Sequence, residues 1–242
     1  MDQLPSTPAE LFNAFRTREA TSPRLTWYGP DSERVEFSGR VLENWVAKTA
    51  NYLVDELDGE PGTVVAVDLP LHWRSLVWLL ASWRVGATAV TGETAVGASA
   101  DIVATSDPAA AWERAAAAKP APLVVAVALP ALAMRWMGDL PPRTLDYSGD
   151  VRSHADVFFP DAEPSPADTA WSHGGTDTSY AELLAQAPAP EAPRRMLLEV
   201  RHGWDAVVPM ALATWAGGGS VVLLGEGVEA SEHLRSTENI TG

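Results

Sequence analysis

The sequence contains no cysteine, which excludes disulfides, zinc–thiolate sites, iron–sulfur clusters and thiol nucleophiles. Lysine is nearly absent too, since Lys48 and Lys119 are the two lysines of the chain. Long apolar runs are also lacking, because the longest, LVWLLASW and LVVAVALPALAM, are too short to cross a bilayer. The N-terminus, MDQLPSTPAELF, has no basic segment followed by an apolar one. It therefore predicts no secretory signal and a cytoplasmic protein.

Positive charge is scarce throughout the chain. There are 17 Lys and Arg against 32 Asp and Glu, which gives a formal net charge of −15 at pH 7. Such a surface repels nucleic-acid phosphates and anionic lipid head groups. We therefore expect neither a nucleic-acid nor a membrane partner. The 242 residues, 46% of them hydrophobic, are enough for one large domain or two small lobes.

Apolar periodicity predicts an amphipathic helix over residues 38–58, with Ser38 as its N-cap and Gly59 as its stop. Strands and helices then alternate along the chain. The predicted segments are TVVAVDLP (strand), HWRSLVWLLASWRVG (helix), ATAV and ADIVATSDP (strands), AAAWERAAAA (helix), PLVVAVALP and RRMLLEV (strands), WDAVVPMALATWA (helix), SVVLLG (strand) and EASEHLRSTENIT (helix). Buried apolar strands alternating with helices predict an α/β layered fold, with a mostly parallel sheet and flanking helices.

Proline and acidic residues cluster in FFPDAEPSPADT, residues 158–169, a composition typical of a linker. We therefore predict a single α/β domain over 1–242 that could divide into subdomains 1–157 and 170–242 on either side of this linker.

The order of these segments, and several short motifs within them, resemble a known family. VEFSGRVLENWVAKTANYLVDELDGEPGTVVAVDLPLHWRSLVWLLASWRVGATAV resembles the N-terminal part of adenylate-forming enzymes, the AMP-dependent synthetase/ligase superfamily of acyl-CoA synthetases, luciferases and peptide-synthetase adenylation domains. The matching pieces include Pro61-Gly62, Val64–Val67, Leu69-Pro70 and Trp83–Ala87. LATWAGGGSVVLL and ENIT resemble later parts of the same lobe, and the chain is also similar to a short actinobacterial family related to these synthetases. The resemblance covers roughly residues 8–242 and implies the fold of the N-terminal lobe.

The resemblance also implies a position for a phosphate-binding loop. In active members a loop of the form TSGTTGxPK holds the ATP phosphates through backbone amides, hydroxyls and a lysine. This chain has WSHGGTDT at that place, with Asp177 inside the loop and Ser179-Tyr180 where the lysine is expected. The candidate phosphate-binding residues are Ser172, Gly174, Gly175, Thr176 and Thr178. The competing interpretation of this stretch is an ordinary polar turn.

Neither lysine is placed to supply the missing cation. We expect Lys48 on the outer face of the first predicted helix, whereas Lys119 follows AAAA in a polar connection. No GxxxxGK or GxGxxG motif occurs. The family's aromatic-Gly-x-Thr-Glu motif, its ribose-binding aspartate and its lid lysine would all lie beyond Gly242. We therefore expect no adenylate formation by this chain alone, no catalytic residue and no cofactor.

Other constellations are weaker. His173-Gly174-Gly175 is similar to the oxyanion-hole turn of lipases, but the chain has no GxSxG, so a serine hydrolase is a distant alternative. The five histidines are scattered and predict no metal site.

Three tryptophans lie on different faces of one predicted helix, which suggests that the helix packs on several sides: Trp73, Trp78 and Trp83. Trp204 and Trp215 share a helix face if Pro209 does not break the helix, and either packs in the core or lines a pocket or partner surface.

The leading hypothesis is a degenerate, non-catalytic homologue of the AMP-dependent synthetases, a pseudoenzyme that acts as a binding or scaffold protein. Its expected partner is another protein or a second copy, and a small carboxylate or a nucleotide is a further candidate ligand. The alternative is one lobe of a split ligase that binds a carboxylic acid and ATP or AMP with Mg. A split ligase predicts an exposed apolar docking face, whereas a binding protein predicts a polar surface or a homodimer there.

Overall fold

The structure is a computed structural model that describes residues 4–92, 95 and 99–242. The helices are α1 (Pro8–Thr17), α2 (Gly39–Leu57), α3 (Trp73–Val85), α4 (Pro108–Ala115), α5 (Tyr147–Asp150), α6 (Trp204–Ala216) and α7 (Glu232–Thr237). The strands are β1 (Pro23–Tyr28), β2 (Arg34–Ser38), β3 (Val64–Asp68), β4 (Thr88–Thr91), β5 (Ile102–Thr105), β6 (Leu123–Ala126), β7 (Leu145–Asp146), β8 (Thr169–His173), β9 (Thr176–Ser179), β10 (Arg195–Glu199) and β11 (Ser220–Leu224). Every helix and strand predicted from the sequence is present.

The chain forms two compact units that are interleaved in sequence. The first comprises Met1–Asn44, Leu71–Leu76 and Tyr180–Gly242, and the second comprises Trp45–Pro70 and Val77–Ser179, as far as these ranges are described. The predicted organisation, one domain with a linker at 158–169, stays a prediction. Residues 158–168 contain no helix or strand.

The first unit contains the smaller sheet, in the order β10-β11-β1-β2. Strands β10, β11 and β1 are parallel, and β2 pairs antiparallel with β1. Trp215 lies in the core of this unit, where its ring packs edge-on against Phe15 at 5.7 Å and its Nε1 donates to the Arg24 carbonyl at 2.7 Å. Pro209 lies inside α6 without breaking it, and Trp204 is also buried. Core packing therefore accounts for both tryptophans.

The second unit contains the larger sheet, in the order β7-β6-β5-β3-β4-β8-β9. All neighbouring strands are parallel except β9, which pairs antiparallel with β8. The predicted mostly parallel sheet is thus confirmed. Its core includes an aromatic cluster in which Tyr52 lies 6.4 Å from Trp78 and 5.5 Å from Tyr147, measured between ring centroids. Trp78 and Trp83 of this unit and Trp73 of the first unit are all buried, as their spacing predicts.

Local signals in the sequence set the ends of α2. The Ser38 hydroxyl accepts a hydrogen bond from the Val41 amide at 3.3 Å, which is the predicted N-cap. At the other end Asp58 is left-handed, with φ of 52°, and the Gly59 amide donates to the Leu53 carbonyl at 2.8 Å. The predicted start and stop are both confirmed.

The glycine triplet after α6 makes a tight turn into β11. Gly218 has φ of 78°, a conformation that glycine adopts without strain. A Cβ on Gly219 would lie 2.3 Å from the Arg194 carbonyl oxygen, so no larger residue fits there without a backbone shift.

No helix in the described residues is long and apolar enough to cross a membrane.

Candidate functional site

The predicted phosphate loop is the tip of a β-hairpin in the second unit. Strands β8 and β9 pair with His173 opposite Thr176, so Gly174 and Gly175 form a two-residue turn. Their φ angles of 57° and 82° are both positive, which is the backbone of a type I′ turn. The backbone of SHGGTD is therefore that of a polar hairpin turn, as the competing interpretation of this stretch predicts.

The tip of the hairpin is open to solvent but carries negative charge. Gly174, Gly175, Thr176 and Asp177 are exposed, whereas the remaining candidates, Ser172 and Thr178, are half-buried. Asp177 lies opposite Ser172 in the antiparallel register, so its carboxylate is on the same face of the hairpin as the Ser172 hydroxyl. The structure thus places all five candidate residues in one hairpin, with Ser172 on the face of Asp177 and with Thr176 and Thr178 on the opposite face. Whether they contact phosphate stays a prediction.

A relay of hydrogen bonds fixes the base of the hairpin to the neighbouring strand β4. Trp171 Nε1 donates to the Thr91 hydroxyl at 2.9 Å, and the same hydroxyl lies 3.0 Å from His173 Nδ1. A hydroxyl has one donor and two acceptor sites, so the Thr91 hydroxyl can bond both rings at once. Trp171 and His173 also stack, with 5.7 Å between ring centroids.

Gly92 leaves room for this histidine. It has φ of 85°, and a Cβ placed there would lie 3.0 Å from His173 Cε1. The glycine therefore satisfies both a left-handed backbone and the close approach of the ring.

The carboxyl ends of β3 and β5 form a second candidate site in the same unit. From β3 the chain continues to β4 on one side of the sheet, and from β5 it continues to β6 on the other side. Strands β3 and β5 are neighbours, so the strand order reverses between them. Open parallel sheets bind ligands outside the strand ends at such a point.

Asp68 and Thr105 occupy this point, and their groups are already paired. Asp68 Oδ2 accepts from the Thr105 hydroxyl at 2.9 Å and from Arg114 Nη2 at 2.8 Å. Asp107, the N-cap of α4, accepts from the Ala110 amide at 3.1 Å. The Arg114 guanidinium is therefore already paired with a carboxylate, and the first turn of α4 is already capped by Asp107. This arrangement disfavours a polyphosphate.

No cation of the described residues is in contact with the hairpin tip. None of residues 172–178 makes a hydrogen bond or ion pair with a Lys or Arg in the described part of the chain. The expectation that Lys48 lies on the outer face of its helix is wrong. Its Nζ is 2.7 Å from Asp156 Oδ1 and donates to the carbonyls of Arg152 and His154, which leaves the side chain 22% exposed.

The geometry does not assemble a hydrolase site. Ser172 and His173 are adjacent on a strand and therefore point to opposite faces. In the described residues no serine hydroxyl bonds a histidine ring. The same residues hold no group of three or more His, Asp or Glu that could bind a metal ion.

Sequence reasoning missed the cluster of Asp68, Thr105 and Arg114. Its signal was present, since Asp68 and Thr105 each end a buried apolar run, in VVAVD and DIVAT. Polar residues directly after buried parallel strands meet at one edge of the sheet.

No family model matches the chain. A Mycobacterium tuberculosis protein described as a TIGR03089 family protein is 32% identical over 228 residues, which cover 92% of this chain and 91% of that protein. Among solved structures the chain is similar to an acyl-CoA synthetase of Brucella canis, with a TM-score of 0.69 and 20% identity over 98% of this chain. The N-terminal domain of FACL13 from Mycobacterium tuberculosis gives a TM-score of 0.65 and 12% identity over 96% of this chain. The anthranilate CoA ligase AuaEII, in complex with anthranoyl-AMP, gives 0.69 and 14% over 98% of this chain.

These structural likenesses establish the fold. The chain spans 46% and 47% of the two full-length enzymes and 59% of the FACL13 domain. The predicted resemblance to the N-terminal part of adenylate-forming enzymes is confirmed at this level. Mycobacterium is an actinobacterial genus, which agrees with the predicted actinobacterial relatives. With 32% identity to a relative that it matches over nearly its whole length, the chain belongs to the TIGR03089 family, and it has the fold of an adenylate-forming N-terminal domain.

Proposed function

We propose that this chain is a non-catalytic homologue of the adenylate-forming enzymes and acts as a binding protein. The observation that carries the proposal is the hairpin tip, where the Gly174-Gly175 turn is flanked by Asp177 and contacts no Lys or Arg of the described residues. A polyphosphate carries several negative charges, so an exposed turn needs a nearby cation to hold it. Here Asp177 places a carboxylate beside the turn, and Ser179-Tyr180 occupy the place of the expected lysine.

The ion pairs of Arg114 and Lys48, two other cations of the second unit, support the proposal. At the switch point of the larger sheet the Arg114 guanidinium is bound to Asp68 at 2.8 Å. Lys48 is bound at 2.7 Å to Asp156, which lies in the segment between α5 and β8. Recruiting either cation to a phosphate would break its existing ion pair and leave a carboxylate without its partner. We therefore expect no ATP, AMP or magnesium cofactor.

A second candidate is one lobe of a ligase completed by another polypeptide. It is favoured by exposed apolar residues on the loop between β6 and β7, where Leu132 is 92%, Met134 64% and Met137 78% exposed. Exposed apolar groups of this kind mark interaction surfaces. Such a ligase would form an acyl-adenylate, the class of compound held by the AuaEII structure, and it would have to bind ATP.

Amide chemical shifts test the hairpin directly. We expect the Gly174 and Gly175 amides to show no saturable shift when inorganic pyrophosphate is added to about 5 mM, because no cation offsets the repulsion from Asp177. The Asp177→Lys variant, which places a cation in the turn, is expected to gain saturable shifts at about 1 mM.

Sodium sulfate at matched ionic strength is the control, since it reproduces charge screening without a diphosphate. Saturation of the wild-type shifts below about 100 µM pyrophosphate would contradict the proposal.

A further inference from the structure

A small apolar pocket lies in the second unit, far along the sheet from the hairpin. It is formed between α4 and the beginning of β6, has a volume of about 130 Å³, and is lined by Trp112, Ala116, Leu123, Pro142 and Arg143, among others. Trp112 and Leu123 are 37% and 38% exposed, so the pocket opens to the surface. A cavity of about 150 Å³ holds a benzene ring. One aromatic side chain is therefore the right size to fill this pocket.

Strand β7 pairs along only part of the sheet edge beside this pocket. Strand β7 pairs with β6 through Val125 and Ala126 only. In the described residues the first half of β6, Leu123 and Val124, has no strand on its outer side. An open strand edge accepts an extended segment of another chain, whose alternate side chains can enter pockets. The site therefore fits an extended segment that carries an aromatic residue.

One basic residue lines the pocket and another lies close to the lining in sequence, although the chain as a whole is acidic. Arg143 lines the pocket, and Lys119 is two residues before Ala121, another residue of its lining. Both cations are exposed and make no ion pair within the described residues. In a chain of formal charge −15 these cations favour an acidic partner segment.

The chain itself carries a segment with these properties. Phe159 is 82% exposed and is followed by Pro160, Asp161, Ala162 and Glu163, all exposed. A residue that precedes proline is held extended. Neither acidic side chain makes an ion pair within the described residues.

The backbone just before Phe159 is fixed in place. Asn51 Nδ2 donates to the Val157 carbonyl at 3.0 Å, and Arg84 Nη2 donates to the Phe158 carbonyl at 3.2 Å. Phe159 therefore projects from an anchored position, which lowers the entropy lost when its ring is buried by a partner.

We propose that two copies of this chain form a homodimer in which Phe159 of each copy enters the Trp112–Pro142 pocket of the other. Asp161 and Glu163 of the inserted segment then face Arg143 and Lys119 at the rim. Each copy both inserts its Phe159 and receives that of its partner. The assembly is therefore a two-fold dimer in which both pockets are filled. This inference goes beyond the proposed function and does not depend on whether the hairpin binds phosphate.

Sedimentation velocity tests the inference. We expect the wild type to sediment at twice its monomer mass of 25.8 kDa, and Phe159→Ser to raise the dissociation constant at least about thirtyfold, as loss of a buried aromatic anchor does. Leu132→Ser is the matched control, because Leu132 is even more exposed, at 92%, and does not line the pocket. It is expected to dimerise like the wild type.

Charge reversal separates this contact from general hydrophobic association. Arg143→Glu is expected to weaken the dimer, and combining it with Asp161→Lys and Glu163→Lys is expected to restore it. All these side chains are exposed, so the unfolding midpoints of the monomers should match that of the wild type. A wild type that stays monomeric at about 100 µM, or a dimer that Phe159→Ser leaves unchanged, would overturn the inference.

Discussion

Replacing Glu238 with glutamine is expected to lower the free energy of unfolding by about 3 kcal/mol. Glu238 is only 4% exposed and accepts hydrogen bonds from the Tyr28 hydroxyl at 2.5 Å and from Arg34 Nε at 3.0 Å. Arg195 also donates to it, and the same guanidinium bonds the Thr26 hydroxyl at 3.0 Å. Removing the carboxylate charge would leave Arg195, whose side chain is 15% exposed, without its main counter-charge. Urea unfolding of the two proteins at pH 7 measures the difference.

Matched variants separate the ion pairs from a general effect of substitution. Glu232→Gln changes an exposed carboxylate on α7 and is expected to alter stability by less than about 0.5 kcal/mol. Arg195→Met combined with Glu238→Gln should cost less than the sum of the single changes, because the two side chains share one interaction. Equal effects of Glu238→Gln and Glu232→Gln would contradict the network's role.

The same network predicts how stability responds to acid. Burial acts to raise the pKa of Glu238, but the hydrogen bonds from Tyr28, Arg195 and Arg34 outweigh burial, and the pKa lies below its usual value of 4.5. The stabilisation is therefore fully present above about pH 4.5 and is lost as the pH falls through the lowered pKa of the folded state.

His72 is expected to make the protein lose about 2 kcal/mol of stability between about pH 7.5 and about pH 5. Burial, aided by the charge of Arg74, lowers the pKa of His72 from 6.5 to about 3. The ring packs 4.5 Å from Trp27, and its Nδ1 accepts from the Arg74 amide at 3.1 Å. Below pH 6.5 the unfolded chain binds a proton at His72, whereas the folded protein binds that proton only near pH 3. Stability therefore falls as the pH falls through that window.

The test is urea unfolding at several pH values. His72→Asn keeps a side-chain acceptor for the Arg74 amide without titrating, so its stability should change by about 2 kcal/mol less than that of the wild type over the same range. His202→Gln, at an exposed histidine, is the matched control and should follow the wild type. Identical pH profiles for His72→Asn and the wild type would show that the pKa of His72 is not lowered by folding.

The elements that the sequence predicts have strong local signals. Buried runs such as TVVAVDLP are apolar on both faces, and α2 combines a helical period with Ser38 at its start and Gly59 at its end. Some of the elements it missed have such signals too, since α1 begins at the Thr7 N-cap and β1 is a largely buried strand, but others lack them. Strand β9 reads TDTS and forms because β8 holds it by antiparallel pairing. The two-residue strand β7 likewise forms by pairing with its neighbour β6.

The candidate site shows the same division. The position of the hairpin turn follows from its glycines and from the family resemblance, so Ser172 to Thr178 could be placed from sequence. The bond of Arg114 to Asp68, at 2.8 Å, joins residues that are 46 positions apart. Likewise, the surroundings of Lys48 depend on the chain returning near Asp156. No local pattern encodes such contacts, because they arise only when distant elements pack together.

Calorimetric titration of the purified protein with Mg-ATP, and separately with AMP, tests most directly whether the adenylate-forming fold has lost its nucleotide chemistry here. The comparison is with a Gly174→Asp, Gly175→Asp double variant, in which two added carboxylates abolish any phosphate site while aspartate tolerates the left-handed turn. We predict millimolar or undetectable binding that is the same in both proteins. Micromolar binding that is lost in the double variant would contradict the proposal and favour the two-chain ligase.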